Sequence, residues 1–527
     1  MHFSYDFPYP SRRMPLLARN AVATSQPLAS QAGVEMLRRG GNAVDAAVAA
    51  AATLAVVEPT RNGLGSDAFA IVWDGGALHG LNASGRAPRA WGSHRFSESI
   101  PTRGWESVTV PGAVSGWTAL HQRFGQLPFS DLLAPAIRYA SEGFHVTPFV
   151  ARSWAAETQD LRSFPDFAQA FLPSGRPPDP GDLFRVPAIA RTLAALAESQ
   201  GRAFYEGSVA ESIARAARVA GAALTEEDLE THMPEWSDTR HVRFAGADIH
   251  EMPPPTQGVA VLIALELLRR HDVSRLGLDS VESLHLQIEA VRVAMGETHR
   301  HVADPERMRT SVDDLLDETF LDALATRIDP RRASVVENSV PRAAGTVYLA
   351  AGDEAGVMVS LIQSNYMGFG SGIVVPDTGI ALQNRAVGFT LESGHPNEAT
   401  GGFRPFHTII PAFALRDGRA LMSFGVMGGP MQPQGHVQMA VRTLVHGQNP
   451  QAAVDAPRWR IGEGTQVHLE PGYPDAVVRA LKAKGHQVQV AQVDDTFAFG
   501  GAQILWRTEH GYIAASDPRK DGQATGF

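Results

Sequence analysis

The sequence predicts an α+β fold in two unlike stretches, the first mostly helical and the second rich in strands. Three observations carry this. Apolar residues recur at helical spacing through much of 27–300, with Pro and Gly marking the breaks. A polar, Pro-punctuated segment, "DPRRASVVENSVPRAAG" (329–345), then reads as an exposed linker. Beyond it the apolar period falls to two: "TVYLAAGD" and "VMVSLIQS" alternate on either side of a short turn at 353–356.

Taken in order, "LASQAGVEMLRRGG" reads as a helix stopped by Gly40 and Gly41. Asn42 caps the next helix, "AVDAAVAAAATLAVV", whose alanines imply close approach of a neighbouring element. "NGLGSDAF" (62–69) has the glycine spacing of a dinucleotide fingerprint. It follows a helix rather than a strand, and no acidic residue lies about 20 positions on, so nucleotide binding is not expected. Residues 110–300 read as mostly helical, and "EMPPPTQGVAVLIALELLRR" as a Pro-rich approach to a helix capped near Thr256. "ETHRHVAD" sets His299, His301 and Asp304 at a spacing that metal ligands use. No further partner is recognisable, and the segment reads as a solvated helix end. In the last third "GIALQN", "TIIPAFALR" and "ALMSFGVMG" read as strands, 432–446 and 474–485 as helices, and "GGAQILWR" with "GYIAASD" as a hairpin. There is no internal repeat.

Composition narrows the function. A net charge of −10 offers no basic footprint for nucleic acid. The absence of cysteine excludes disulfides, thiolate metal sites, iron–sulfur clusters and a cysteine nucleophile. No stretch has the apolar length of a signal peptide at the N-terminus or of a membrane span, so a cytoplasmic location is expected, with no membrane partner.

There is no Gly-x-Ser-x-Gly elbow and no phosphate-binding Gly-Lys-Ser/Thr loop. The remaining route to a nucleophile is a residue released as a new N-terminus, and "PRAAGTVYLAAGDEAG" (341–356) suits it. The hydroxyl of Thr346 can attack its own preceding carbonyl. Gly345, after Ala343 and Ala344, leaves that carbonyl unshielded. Hydrolysis of the resulting ester frees an α-amine of pKa about 7.7–8.0, a general base on the same residue as the hydroxyl. "FGVMGGPMQPQGH" (424–436) brings Gly428 and Gly429 to the head of a helix. That is either an oxyanion hole or simply a tight strand-to-helix turn.

Together these segments resemble the γ-glutamyltransferase family of N-terminal-nucleophile hydrolases. "GGNAVDAAVA", "VVEP" and "GLGSDAF" lie near the start, "PPPTQG" in the middle, and "TVYLAAGDEAGVMVSLIQSNYMGFGSG", "RPFHTIIPAF" and "MGGPMQPQGH" late, in that family's order. The resemblance implies a four-layer αββα sandwich. It also implies cleavage between Gly345 and Thr346 into a large subunit, 1–345, and a small one, 346–527. The two would form an intertwined heterodimer, and a dimer of heterodimers is also admitted. Thr346 would be the nucleophile, Ser364 the residue orienting it, and Gly428 and Gly429 the oxyanion pair, with no cofactor and no metal.

Where the chain departs from the family, the substrate contacts change. The family's Arg before "AP" falls on Ser84, with Arg86 two residues on, and its serine pair after "RP" becomes His407 and Thr408. The Asp that holds a substrate ammonium falls on Gly388, and the Gln preceding it on Arg385. Tyr366 replaces an Asn, and Gly345 stands where the family often has Asp. A buried ammonium without a counter-charge is costly. A pocket that gains Arg385 and lacks the Asp suits a small amide bearing a carboxylate, such as oxamate. This points to the oxamate amidohydrolase and acylase-like branch. Arg385, His407 and Thr408 are the expected substrate contacts, Asn384 a brace for the loop, and Arg86, Tyr366, Asp67 and Asn365 further candidates. The alternatives are a glutathione hydrolase or γ-glutamyltransferase using Arg86 and Arg385, and an uncleaved homologue that binds a metabolite.

Overall fold

In the computed structural model, residues 13–92, 95–334, 345–492 and 498–527 are described. Strand alternation generates the architecture. On the strand Gly345–Gly352, Val347, Leu349 and Ala351 face one set of helices, while Tyr348 and Ala350 face a second sheet. The sheet holding this strand has seven members in the order Gln523–Gly526, Ala21–Thr24, Gly345–Gly352, Met358–Tyr366, Asp67–Trp73, Leu78–Ala83, Glu235–Ser237. The other runs Leu16–Ala18, Gly511–Ser516, Gly501–Thr508, Arg419–Met427, Ala412–Arg416, Ala247–Glu251, Arg240–Phe244. Phe69, Ile71, Tyr348 and Ile362 of the first sheet meet Phe413, Leu505 and Tyr512 of the second in one buried layer. The helices Pro27–Arg38, Ala43–Val57 and Phe129–Glu142 cover the outside of the first sheet. Those at Gly258–Arg270, Val281–His301 and Met431–Ala440 cover the second. The result is a four-layer αββα sandwich.

The helix Ala43–Val57 is buried along its whole length. Asn42 caps it, and the Asp45 carboxylate returns the bond to Asn42 N at 3.0 Å. The expected close approach is present: a Cβ on Gly33 of the preceding helix would lie 2.9 Å from Ala46 O.

Four strands of the first sheet and three of the second come from residues before Gly345, the stretch expected to be mostly helical with part of the sheet. Several other expectations need correction. "GIALQN" is not a strand. Leu382 and Ala381 make only isolated bridges, to Gly65 and Val374, and Gly65 passes so close to Ala381 O that a Cβ would clash at 2.3 Å. In "TIIPAFALR" the strand begins only after Pro411, at Ala412, because proline cannot donate to a ladder. The helix expected over 432–446 is regular from Met431 to Ala440 and then widens into a π turn, Val441–Val445. Asp304 is buried rather than solvated, and accepts from Arg404 N at 2.8 Å. His299 packs on Phe406 with ring centroids 5.3 Å apart. Of the linker, 335–344 lies outside the described residues, Ala343 and Ala344 included. Upstream of it, Ser334 N donates to buried Glu289 at 2.8 Å. Downstream, Gly345 already belongs to a buried strand.

The two sheets approach closely at Gly425, where a Cβ would lie 2.5 Å from the Tyr348 ring. Gly425→Ala should therefore cost about 1–3 kcal/mol of stability by overpacking, read by denaturant unfolding. An unchanged midpoint would show that Tyr348 moves aside freely.

Candidate active site

Three polar residues lie on the inward faces of three adjacent strands at one end of the sandwich. Asp67 stands directly opposite Ser364 in the pairing of Asp67–Trp73 with Met358–Tyr366. Between Gly345 and Val347 the next ladder slips: Gly345 pairs with Tyr366, but Val347 with Gln363. The register up to Val347 sets Thr346 opposite Ser364 on the same face, and the slip lies at Gly345. Thr346 Oγ1 donates to Ser364 Oγ at 3.3 Å, and Ser364 Oγ donates to the Gly345 carbonyl at 2.6 Å. Tyr366 N also donates to Ser364 Oγ, at 2.8 Å. Thr346 and Ser364 are both buried. Tyr366 has φ +73°, a left-handed conformation that a bulky residue adopts only under constraint.

Arg385 joins this group from the turn Arg385–Gly388. Its Nη2 donates to Ser364 Oγ at 3.2 Å and its Nη1 to Thr408 Oγ1 at 2.9 Å. Its guanidinium lies 4.5 Å from the centroid of the Tyr366 ring, and its Nε is 3.8 Å from Asp67 Oδ2. Gln383 Oε1 accepts from the Arg385 main-chain N at 2.5 Å, and Gln383 Nε2 donates to Thr109 O at 3.0 Å, which fixes the turn. His407 Nε2 lies 3.2 Å from Asp67 Oδ2, and its ring packs edge-on against Phe69 at 4.8 Å.

All of these charges are out of water, and burial dominates their ionisation. It pushes the Asp67 carboxyl up to about 7, against the opposing pull of Arg385 and the hydrogen bond from Gly85 N. It lowers Arg385 to about 10, with Asp67 acting the other way. Burial, with Arg385 and Arg404 nearby, holds His407 well below its ordinary value. The imidazole is therefore neutral at pH 7.

Gly428 and Gly429, at φ +122° and +60°, make the turn from Arg419–Met427 into the helix Met431–Ala440. Gln257 ties this turn to the rest of the group. Its Nε2 donates to Gly429 O at 2.9 Å and also to Thr408 O. Hydrogen bonds thus run from Thr346 through Ser364, Arg385, Thr408 and Gln257 to Gly429. Thr256, expected as a helix cap, accepts from Gly258 N at 3.2 Å just before the helix starts.

Three residues singled out from sequence lie around this group rather than in it. Asn384 braces the loop, accepting from Met367 N at 3.1 Å and donating to Thr102 O at 2.8 Å. Arg86 turns to Asp304, Glu235 and Glu306 and lines a separate cavity of about 380 Å³ with Arg404 and His232. Asn365 Oδ1 accepts from Ser66 Oγ at 2.8 Å. Among the described residues, no group of three or more His, Asp or Glu could hold a metal ion, and no helix is long and apolar enough to cross a membrane.

The profile of the family described as Gamma-glutamyltranspeptidase matches residues 29–527. The chain belongs to the gamma-glutamyltranspeptidase family. It is 36% identical to the oxamate amidohydrolase proenzyme of Klebsiella pneumoniae, over 95% of this chain and 97% of that protein. It is 34% identical to the glutathione hydrolase-like YwrD proenzyme of Bacillus subtilis, over 97% and 98%. The crystal structure of cephalosporin acylase from Bacillus halodurans superposes with a TM-score of 0.95 at 43% identity, covering 100% of this chain and 99% of that one. The sandwich is accordingly of the N-terminal-nucleophile hydrolase type, and this gamma-glutamyltranspeptidase-family chain is a hydrolase.

Sequence reasoning missed the supporting contacts of Gln257 and Gln383, and it named Asp67 only as a further candidate. "PPPTQG" and "ALQN" contain both glutamines, but nothing local shows that they bridge distant loops.

Because Asp67 binds its proton more tightly folded than unfolded, it stabilises the fold fully below its ordinary pKa of 3.8. That contribution fades as pH rises toward 7, by up to about 1.4 kcal/mol per unit. Asp67→Asn removes this titration. Its stability relative to the parent should therefore be more favourable at pH 8 than at pH 5 in thermal melts. An identical difference at both pH values would show that Asp67 is ionised throughout.

Proposed function

We propose that the chain cleaves itself between Gly345 and Thr346 and then hydrolyses the amide bond of a small substrate whose acyl part carries a carboxylate. The observation that carries this reading is the Ser364 hydroxyl, 2.6 Å from the Gly345 carbonyl oxygen and 3.3 Å from Thr346 Oγ1. It polarises the one and orients the other. Thr346 Oγ attacks the Gly345 carbonyl carbon, the C–N bond breaks, and the nitrogen takes the hydroxyl proton. Water then splits the ester, leaving a carboxylate on Gly345 and a free amine on Thr346. The products are the subunits 1–345 and 346–527.

In turnover the freed amine, of pKa about 7.7–8.0, accepts the Thr346 hydroxyl proton as Oγ attacks the substrate carbonyl. That proton passes to the leaving amine. Water, deprotonated by the same amine, then releases the acid. Gly428 and Gly429, at the head of a helix, supply N–H groups to the oxyanion. Arg385, Thr408 and His407 shape the acyl side. The buried guanidinium favours an anion there, and the neutral imidazole adds no competing charge. The relatives named as an oxamate amidohydrolase and a cephalosporin acylase support an amide substrate.

Ammonia release from oxamate and aniline release from a γ-glutamyl anilide test this reading. The parent should favour oxamate, and preference for the anilide would make the protein a glutathione hydrolase instead. Thr346→Ala should remain one chain and be inactive. Ser364→Ala should slow both maturation and turnover by roughly 10²-fold. Full activity in Thr346→Ala would exclude the mechanism.

A further inference from the structure

Loop 58–62 carries charges that the chemistry above leaves unused. Arg61 packs directly on Gly345: a Cβ there would lie 3.0 Å from Arg61 Cδ and 3.4 Å from Arg61 Cα. Asn365 N donates to Arg61 O at 3.1 Å, which pins the loop to the strand that bears Ser364. Arg61 Nη2 donates to Ser153 Oγ at 2.8 Å. Glu58 and Lys520, both deeply buried, share an electrostatic cluster with Arg61. Lys520 Nζ lies 4.7 Å from the centroid of the Phe149 ring. Glu58 Oε2 accepts from Ser25 Oγ at 2.5 Å, while its Oε1 has no hydrogen-bond partner among the described residues. Asp521 faces Glu58 and Lys520, and Asp517 and Arg458 face Lys520, so the cluster holds charges of both signs.

Chemistry links this cluster to substrate, given the amidohydrolase reading above. Self-cleavage puts the Gly345 acyl group on Thr346 Oγ as an ester, with the C–N bond broken and the proton on nitrogen. Turnover puts the substrate's acyl group on the same oxygen, and the displaced amine leaves with the proton. The two esters are the same functional group on the same atom. Gly345 Cα therefore marks the place of the first carbon beyond the substrate carbonyl, and the Arg61 Cδ methylene and backbone lie beside it. Arg385 already donates to Ser364 and Thr408. Arg61 adds a second cation on the Gly345 side.

We propose that Arg61 recognises the carboxylate of the substrate's acyl chain, one to four bonds beyond the scissile carbonyl. This defines the substrates as amides of short dicarboxylic acids, from oxalyl to glutaryl. A charge-assisted hydrogen bond of this kind sets the expected effect at roughly 10- to 100-fold.

The test compares succinamate with butyramide, of similar length but without the charge, on the parent, Arg61→Gln and Arg61→Lys. Arg61→Gln should raise KM for succinamate by that factor, with kcat little changed and butyramide unaffected, and Arg61→Lys should recover much of the loss. Equal loss on both amides, or none, overturns the proposal. If Arg61→Gln does not mature, Arg61→Lys alone should still shift the succinamate-to-butyramide ratio, and an unchanged ratio overturns it. Calorimetric binding of succinate needs no turnover. Weaker binding by Arg61→Gln in a protein that cuts no amide would strike the amidohydrolase reading and leave Arg61's role standing. Equal binding by both proteins, or none by the parent, overturns the role itself.

Discussion

The hydroxyl of Ser364 gathers the site into one unit. It donates to the Gly345 carbonyl and receives Thr346 Oγ1, Tyr366 N and Arg385 Nη2. A hydroxyl has one donor and two lone pairs, so four contacts are one more than it can fully satisfy, and the three donors share two lone pairs. The crowding sits where the ladder slips between Gly345 and Val347 and where Tyr366 takes a left-handed backbone. The sandwich supplies the rigidity: inward alternation fixes the side on which Asp67, Thr346 and Ser364 stand, and the second sheet closes over them.

Charge is the second constraint. Asp67, Arg385 and His407 lie within a few ångströms of one another with almost no access to water. Desolvation outweighs pairing for Asp67, which rises to about 7, and it keeps His407 neutral. The site therefore holds one firm positive charge, on Arg385, beside a carboxyl poised to change state near neutrality. Arg404 reinforces the positive field from behind, bonded to Ser84 O at 2.9 Å and Glu235 at 2.7 Å.

Much of this was legible in the sequence, for physical reasons that differ by element. The helix Ala43–Val57 and its Asn42 cap were clear because capping and periodicity are local. Gly345 and Thr346 stood out because the chemistry of an unshielded carbonyl beside a hydroxyl needs only two residues. The early strands were harder. Asp67–Trp73 is buried on both faces and reads as a continuous apolar run, which periodicity cannot separate from a helix. "GIALQN" misled in the other direction: its alternation suits a strand, but its backbone is committed to Gly65 and Ser371 rather than to a ladder. Gln257 joins loops separated by 172 positions, and nothing in its own neighbourhood records that.

The central claim is that one peptide bond is cut to expose a threonine amine. Intact mass measurement of the purified protein, with N-terminal sequencing of each fragment, tests it most directly. The account predicts two chains, the smaller beginning Thr-Val-Tyr-Leu. A preparation that hydrolyses amides while remaining a single chain of 56.5 kDa would contradict it.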